Sequence, residues 1–406
     1  MKKQIQSNLL YFFLSLFFLS SCGGGDDDPV NPIGPVTPTQ YSGEITQDVT
    51  WTKDNIYILD GRVVVTDGVT LTIEAGTVIK AEGGQGADAS TLLVARGGKL
   101  LANGTATEPI IFTSVADNIS NTHTNYPGFA NLNASQKGLW GGVIMCGFAP
   151  ISASTDAVQI EGIPATDMNG LYGGTDPMDN SGSLSYVQIR HGGTNIGEGN
   201  EINGLTLGGV GNGTTISNIE VIANVDDGIE FFGGSVNASN LLVWGQGDDA
   251  FDIDQSYSGT ITNILGIADA ESDHALEIDG PEGSMIAGFT LNGGTLKGFN
   301  PDGGEYADFR DEAVGSINNL YFYDFSCSSD FEIDGNSSSA NLTFSNIEFN
   351  TSHLDVSCKV LWSDICDDQT GNSTNFNASN VTGPVSAGAN LSQFVGWSCA
   401  NRENAY

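Results

Sequence analysis

A short phrase recurs along this chain at intervals that suit a stacked fold. A small or polar residue, an asparagine and an aliphatic residue follow one another at Ser217-Asn218-Ile219, Ser239-Asn240-Leu241, Thr262-Asn263-Ile264, Asn318-Asn319-Leu320, Ser345-Asn346-Ile347 and Ser379-Asn380-Val381. The first three are 22 and 23 residues apart, and Ala287-Gly288-Phe289 fills the slot 25 residues after Asn263. A second phrase trails the first: Asp227-Gly228-Ile229-Glu230-Phe231, Asp249-Ala250-Phe251-Asp252-Ile253, His274-Ala275-Leu276-Glu277-Ile278, then Asp308-Phe309-Arg310 and Phe331-Glu332-Ile333-Asp334. A unit of this length holds two or three short strands. It is too short for a propeller blade and lacks the spacing of leucine-rich repeats. The fold class is therefore all-β, a right-handed parallel β-helix of about a dozen coils of 22–25 residues. Coils stack at the strand spacing of about 4.8 Å, so asparagines at one turn position would form an amide ladder.

The same character begins earlier. Val63-Val64-Val65, Leu71-Thr72-Ile73, Leu92-Leu93-Val94 and Ile110-Ile111-Phe112 read as strands, with Asp67-Gly68, Gly97-Gly98 and Asn103-Gly104 as turns. The β-helix is expected over residues 41–406, with polar loops inserted near 115–138 and 161–182 and an irregular, cysteine-bearing end. Residues 1–21 read as an export signal: Lys2 and Lys3, an apolar run from Leu9 to Leu19, and small residues before Cys22. The run is too short to span a bilayer. The junction resembles the lipobox of Gram-negative lipoproteins, which implies lipidation of Cys22 and anchorage in a membrane. Residues 22–40 read as a flexible acidic, Pro-rich tether. Asp26-Asp27-Asp28 resembles the signal that sends lipoproteins to the outer face of the outer membrane, so an extracellular-facing location is expected.

With 13 Lys and Arg against 49 Asp and Glu, the formal charge of −36 excludes nucleic acid as a primary partner. Five cysteines follow Cys22: Cys146, Cys327, Cys358, Cys366 and Cys399. An odd number leaves at least one thiol unpaired, and no C-x-x-C suggests zinc. Cys358 and Cys366 are spaced to close a small loop in an oxidising compartment.

Alternation puts Ile229, Phe251, Leu276, Phe309 and Phe331 in one core column, so Glu230, Asp252, Glu277, Arg310 and Glu332 should point outward. Asp226, Asp248 and Asp273 form a parallel column, and Asp254, Asp279 and Asp334 another. Such a grid suits a divalent cation, calcium above all, with Asp226, Glu230, Asp248, Asp252, Asp254, Asp273, Glu277 and Asp279 as ligands. A solvated acidic face, partly neutralised by Arg310, fits the pattern too. A third reading is catalytic. Asn224-Val225-Asp226, Asp248-Asp249, Asp273-His274 and Arg310 resemble in order and spacing the motifs of polygalacturonase-like glycoside hydrolases. That resemblance implies Asp226, Asp248 and Asp249 as acid and base, His274 beside them and Arg310 on a sugar acid. The pattern departs from it where Asp273 and Ala275 flank His274 in place of glycines, and where Asp311 follows Arg310. A lyase-type base would be Arg190 or Lys297. Trp51, Trp140, Trp244, Trp362 and Trp397 are candidates either for sugar stacking or for packing.

Leu71–Ile79, Gly138-Leu139-Trp140-Gly141-Gly142, Asn203–Gly211 and Asp226–Gly234 together are similar to a family of secreted bacterial β-helix lipoproteins whose activity is not established. The resemblance implies the fold and an envelope location, with no catalytic residue. The role expected is a non-enzymatic binding or structural module for glycan, matrix or partner protein, stabilised by calcium; the alternative is a polysaccharide-cleaving hydrolase.

Overall fold

The structure is a computed structural model that describes residues 37–121, 128–195, 202–299, 304–326, 329, 331–333, 341–350, 360–362, 378–381 and 384–406. Cys22, the export signal, most of the tether, Cys327, Asp334 and the Cys358–Cys366 pair lie outside them.

The chain forms a right-handed parallel β-helix with three parallel sheets. Sheet III is the clearest. Its rungs are residues 43–45, 62–65, 91–94, 143–146, 205–208, 229–232, 251–254, 276–278, 307–309, 331–333 and 360–362, each paired in parallel with the next. Sheets I and II start as separate short strands. From Gly182–Arg190 onward they share one long strand per coil, bent in the middle: Thr215–Ile222, Asn237–Trp244, Thr260–Ile267, Phe289–Lys297, Gly315–Tyr323 and Leu342–Asn350.

The bend explains the asparagine phrase. One residue per coil turns the corner in the left-handed region: Tyr186, Asn218, Asn240, Asn263, Gly293, Asn319 and Asn346. Asparagine enters that region at lower cost than other non-glycine residues. Its amide then bonds along the stack, Asn240 Nδ2 donating to Asn218 Oδ1 (3.1 Å), Asn263 to Asn240 (2.7 Å) and Asn346 to Asn319 (3.0 Å). Two expected members are out of register. The slot after Asn263 is Gly293, since Thr262 pairs with Asn292 and Ile264 with Gly294; residues 279–288 form a longer connection that displaces Ala287-Gly288-Phe289. Asn380 pairs with Phe349, three positions past the corner.

Inward side chains form one continuous core. Tyr41, Trp51 and Tyr57 pack ring on ring at its N-terminal end, and Phe309, Phe322, Phe331, Phe344 and Phe349 fill the C-terminal coils. Trp51, Trp140 and Trp397 are fully buried, so these three pack and present no face to a sugar.

Two segments cover the outside. On sheet III the outward residues Val64, Leu93, Ile144 and Cys146 are apolar, and an insertion at residues 147–181 roofs them with Ile151, Ile160, Ile163 and Tyr172. The polar stretch 161–182 is the second half of that insertion, which holds a small hairpin pairing Val158–Gln159 with Leu171–Tyr172. On sheet II, Phe394, Trp397 and Ala400 of the C-terminal segment pack on Leu242, Leu265 and Ile267. Gln188 Nε2 donates to the Trp397 carbonyl (2.8 Å), and the buried Glu220 carboxylate accepts the Cys399 and Ala400 amides (2.8 and 2.9 Å).

Candidate functional site

The repeated acidic phrase assembles on the outer side of sheet III. Parallel pairing stacks Thr206, Glu230, Asp252, Glu277, Asp308 and Glu332 in one column. Arg310 does not belong to it. Ile278 pairs with Phe309, so Ala307, not Phe309, stands in the Leu276 column, and Arg310 falls one step further on, beside Asp279. The expected register was two residues off there because the 31-residue step from Leu276 to Ala307 is longer than the earlier coils.

The column points outward from the core, as alternation requires, yet much of it is not solvated. Glu230 and Asp252 are 4% and 8% exposed. Asn203 donates to Glu230 and to Glu161 of the insertion, and Tyr172 of the insertion packs on Phe232 with centroids 5.8 Å apart. Burial first, then the Asp252 charge, pushes Glu230 well above the carboxylate range; burial and Asp254 do the same to Asp252. Asp254, beside Asp279 and Glu282, is pushed up to about 8, by burial before charge.

One coil further on, charge is balanced directly. Arg310 bridges Glu277 and Asp279, donating to Asp279 Oδ1 at 2.6 Å, with Asp308 at 3.9 Å. Its guanidinium is thereby engaged by protein carboxylates, which argues against the sugar-acid role that the hydrolase resemblance implies.

A turn ladder runs alongside. Asn203, Asp227 and Asp249 each accept the backbone amide of the equivalent residue one coil on: Asp227 N to Asn203 Oδ1 (3.3 Å), Asp249 N to Asp227 Oδ1 (2.9 Å), His274 N to Asp249 Oδ1 (2.7 Å). His274 Nδ1 also lies 2.9 Å from Asp249 Oδ1. Burial would raise Asp249, but the His274 bond and charge outweigh it and hold the carboxyl low; the same contact outweighs desolvation at His274 and lifts its ring to about 9. Asp249 and His274 thus form a closed ion pair that caps the turns. Sequence reasoning missed Asn203 and Asp227 as members. The signal was present, since both stand two residues before a core aliphatic, as Asp249 and His274 do.

The third column, Asp226, Asp248 and Asp273, lines an open depression of about 430 Å³ with Glu271 and Ser272. Asp248 is pushed up to about 6, by burial and then by Asp249 and Asp273. Arg190 and Lys297, the sequence candidates for a lyase base, are committed elsewhere. Arg190 is fully buried against Gln188, and Lys297 Nζ donates to the Ala405 carbonyl (2.7 Å).

A cation fits these residues in two places. One carboxylate oxygen each from Asp226, Asp227 and Asp248 lie within 4.8 Å of one another, as do those of Asp227, Glu230 and Asp252. Both sets offer only oxygen, which suits a hard ion.

No curated protein matches the chain. A family model described as a pectate-lyase-like beta helix domain matches residues 43–398, from the first rung to the C-terminal segment. With the three parallel sheets described above, that match places the chain in the pectate-lyase-like β-helix family.

Proposed function

We propose that the chain is a non-enzymatic, envelope-anchored binding module that lays a neutral, extended polysaccharide along sheet I. One observation carries this reading. In a chain of formal charge −36, the outward side of sheet I bears no charged residue over seven successive coils. The outward pairs are Ser183 and Ser185, Thr215 and Ser217, Asn237 and Ser239, Thr260 and Thr262, Thr290 and Asn292, Ser316 and Asn318, and Thr343 and Ser345. They present hydroxyl and amide groups about 4.8 Å apart between coils and about 6.6 Å apart along each strand. A shallow groove of about 570 Å³ runs over three of these coils, edged by Asn212 and Thr214. A β-linked pyranose advances by about one coil rise, so a linear glycan meets equivalent donors and acceptors at each ring. Anchorage through Cys22 and an outer-membrane, outward-facing location belong to the same reading. Loss of labelled fatty-acid incorporation in Cys22→Ala would support that part.

The test is affinity electrophoresis of the protein through gels containing neutral β-glucan, xylan or polygalacturonate. Retardation by a neutral polymer, abolished in Ser239→Asp/Thr262→Asp at unchanged melting temperature, supports the module. Retardation by none sinks it.

The hydrolase reading keeps one specific observation. Asp248, near 6, stands beside the low Asp249 and within reach of Asp226, the divergent pairing that acid and base require. Its depression is lined by four acidic side chains and no basic one, which disfavours a polyuronate. Reducing ends released by wild type and lost in Asp248→Asn would replace the module with the enzyme.

A further inference from the structure

We propose that a single divalent cation, calcium by its donor chemistry, is held between the buried carboxylates of Asp227, Glu230 and Asp252, and pins the 147–181 insertion to the coil. This is independent of the glycan reading. It places the ion under the insertion, away from the open depression at Asp226, Asp248 and Asp273.

The three residues are 7%, 4% and 8% exposed. Among the described residues no Lys, Arg or His lies within ion-pair distance of any of them, whereas Glu277 and Asp279 on the next coil share Arg310. Three carboxylates this close and this dry need either protons or a cation. Geometry favours the cation. A neutral carboxyl pair would show an oxygen-to-oxygen hydrogen bond at Asp252, but its buried Oδ1 has no hydrogen-bond partner. The mutual reach of the oxygens, 4.8 Å, is about twice a calcium–oxygen bond of about 2.4 Å, so one ion can touch all three. Asp227 has Oδ1 on the Asp249 amide, which leaves Oδ2 for the ion. Asn203 bonds both Glu230 and Glu161, and so links the insertion to the cation's ligands.

The experiment strips the full-length protein with chelator, then measures calcium stoichiometry by calorimetry, melting temperature, and proteolysis of the insertion. The expected result is one tight ion per chain, a melting temperature several degrees higher with calcium, and cleavage within 147–181 only after chelation. Asp252→Asn and Glu230→Gln abolish the tight site; Asp248→Asn and Asp273→Asn keep it. If those buried variants fail to fold, the calcium-dependent protection of the wild-type insertion decides alone. The proposal is overturned if chelator changes neither melting nor proteolysis. It is also overturned if Asp252→Asn raises the melting temperature without calcium, which would mean that protons neutralise the cluster, or if the calcium response disappears in Asp248→Asn.

Discussion

The corner asparagines give a sharp test of how the coils are held. Asn240 sits at φ 55°. It donates to Asn218 and accepts from Asn263, at 3.1 and 2.7 Å. Asn240→Ala removes both bonds, at about 1 kcal/mol each. It also places a β-carbon in the left-handed region without the local polar compensation of asparagine, roughly a further 1–2 kcal/mol. The total is about 3–4 kcal/mol. Asn240→Gly loses the same two bonds but occupies positive φ freely, against an unfolded-chain entropy cost of about 0.5–1 kcal/mol. It should therefore be about 1 kcal/mol milder than alanine. Gly293→Asn tests the converse. Gly293 has φ 83°, and a Cβ there meets nothing closer than the Gly388 carbonyl at 3.6 Å, so the side chain fits in the gap of the ladder and should stabilise by up to about 1 kcal/mol. Urea unfolding followed by far-ultraviolet circular dichroism, with the slope checked for constancy, reads all three. Glycine at least as damaging as alanine at position 240 would refute the claim that the left-handed corner selects asparagine.

Glu220→Ala should release the C-terminal segment by about 3 kcal/mol, from two amide bonds to a buried acidic acceptor at about 1.5 kcal/mol each, seen as faster hydrogen exchange at 396–404 and red-shifted Trp397 emission. Burial lifts Glu220 to about 7, so its contribution to docking is full below the unfolded value near 4.5 and fades as pH rises through about 7; pH-independent exchange in that segment would contradict this. His191 carries the opposite sign: burial holds its ring down at about 4, so stability is lost as pH falls from about 6.5 towards 4, by roughly 3 kcal/mol, and that loss should shrink in His191→Gln. Cys146 and Cys399 are unpaired and buried, with thiols pushed up to about 12, so peptide mapping should find neither alkylated at pH 8 before unfolding.

Much of this was legible in the sequence, because a β-helix repeats its local rules coil after coil. The asparagine corner, the aliphatic columns and the acidic phrase each depend on residues one strand apart, and periodicity exposes them directly. Coil length was the weak point. Where connections lengthened, between Asp254 and Phe289 and between Leu276 and Ala307, counting along the chain misplaced Gly293 and Arg310, since only backbone pairing sets register. Tertiary structure alone decided what lies over each face. Alternation correctly turned Glu230 and Asp252 away from the core. Nothing local announced that an insertion beginning just after Cys146 would cover them and turn a solvated acidic face into a dry one. It likewise took the fold to spend Arg310 on Glu277 and Asp279, and to gather fourteen separate Ser, Thr and Asn residues into one uncharged surface. Sequence dictates the coil because the coil is local; contacts made across many coils decide which of its faces are free to bind.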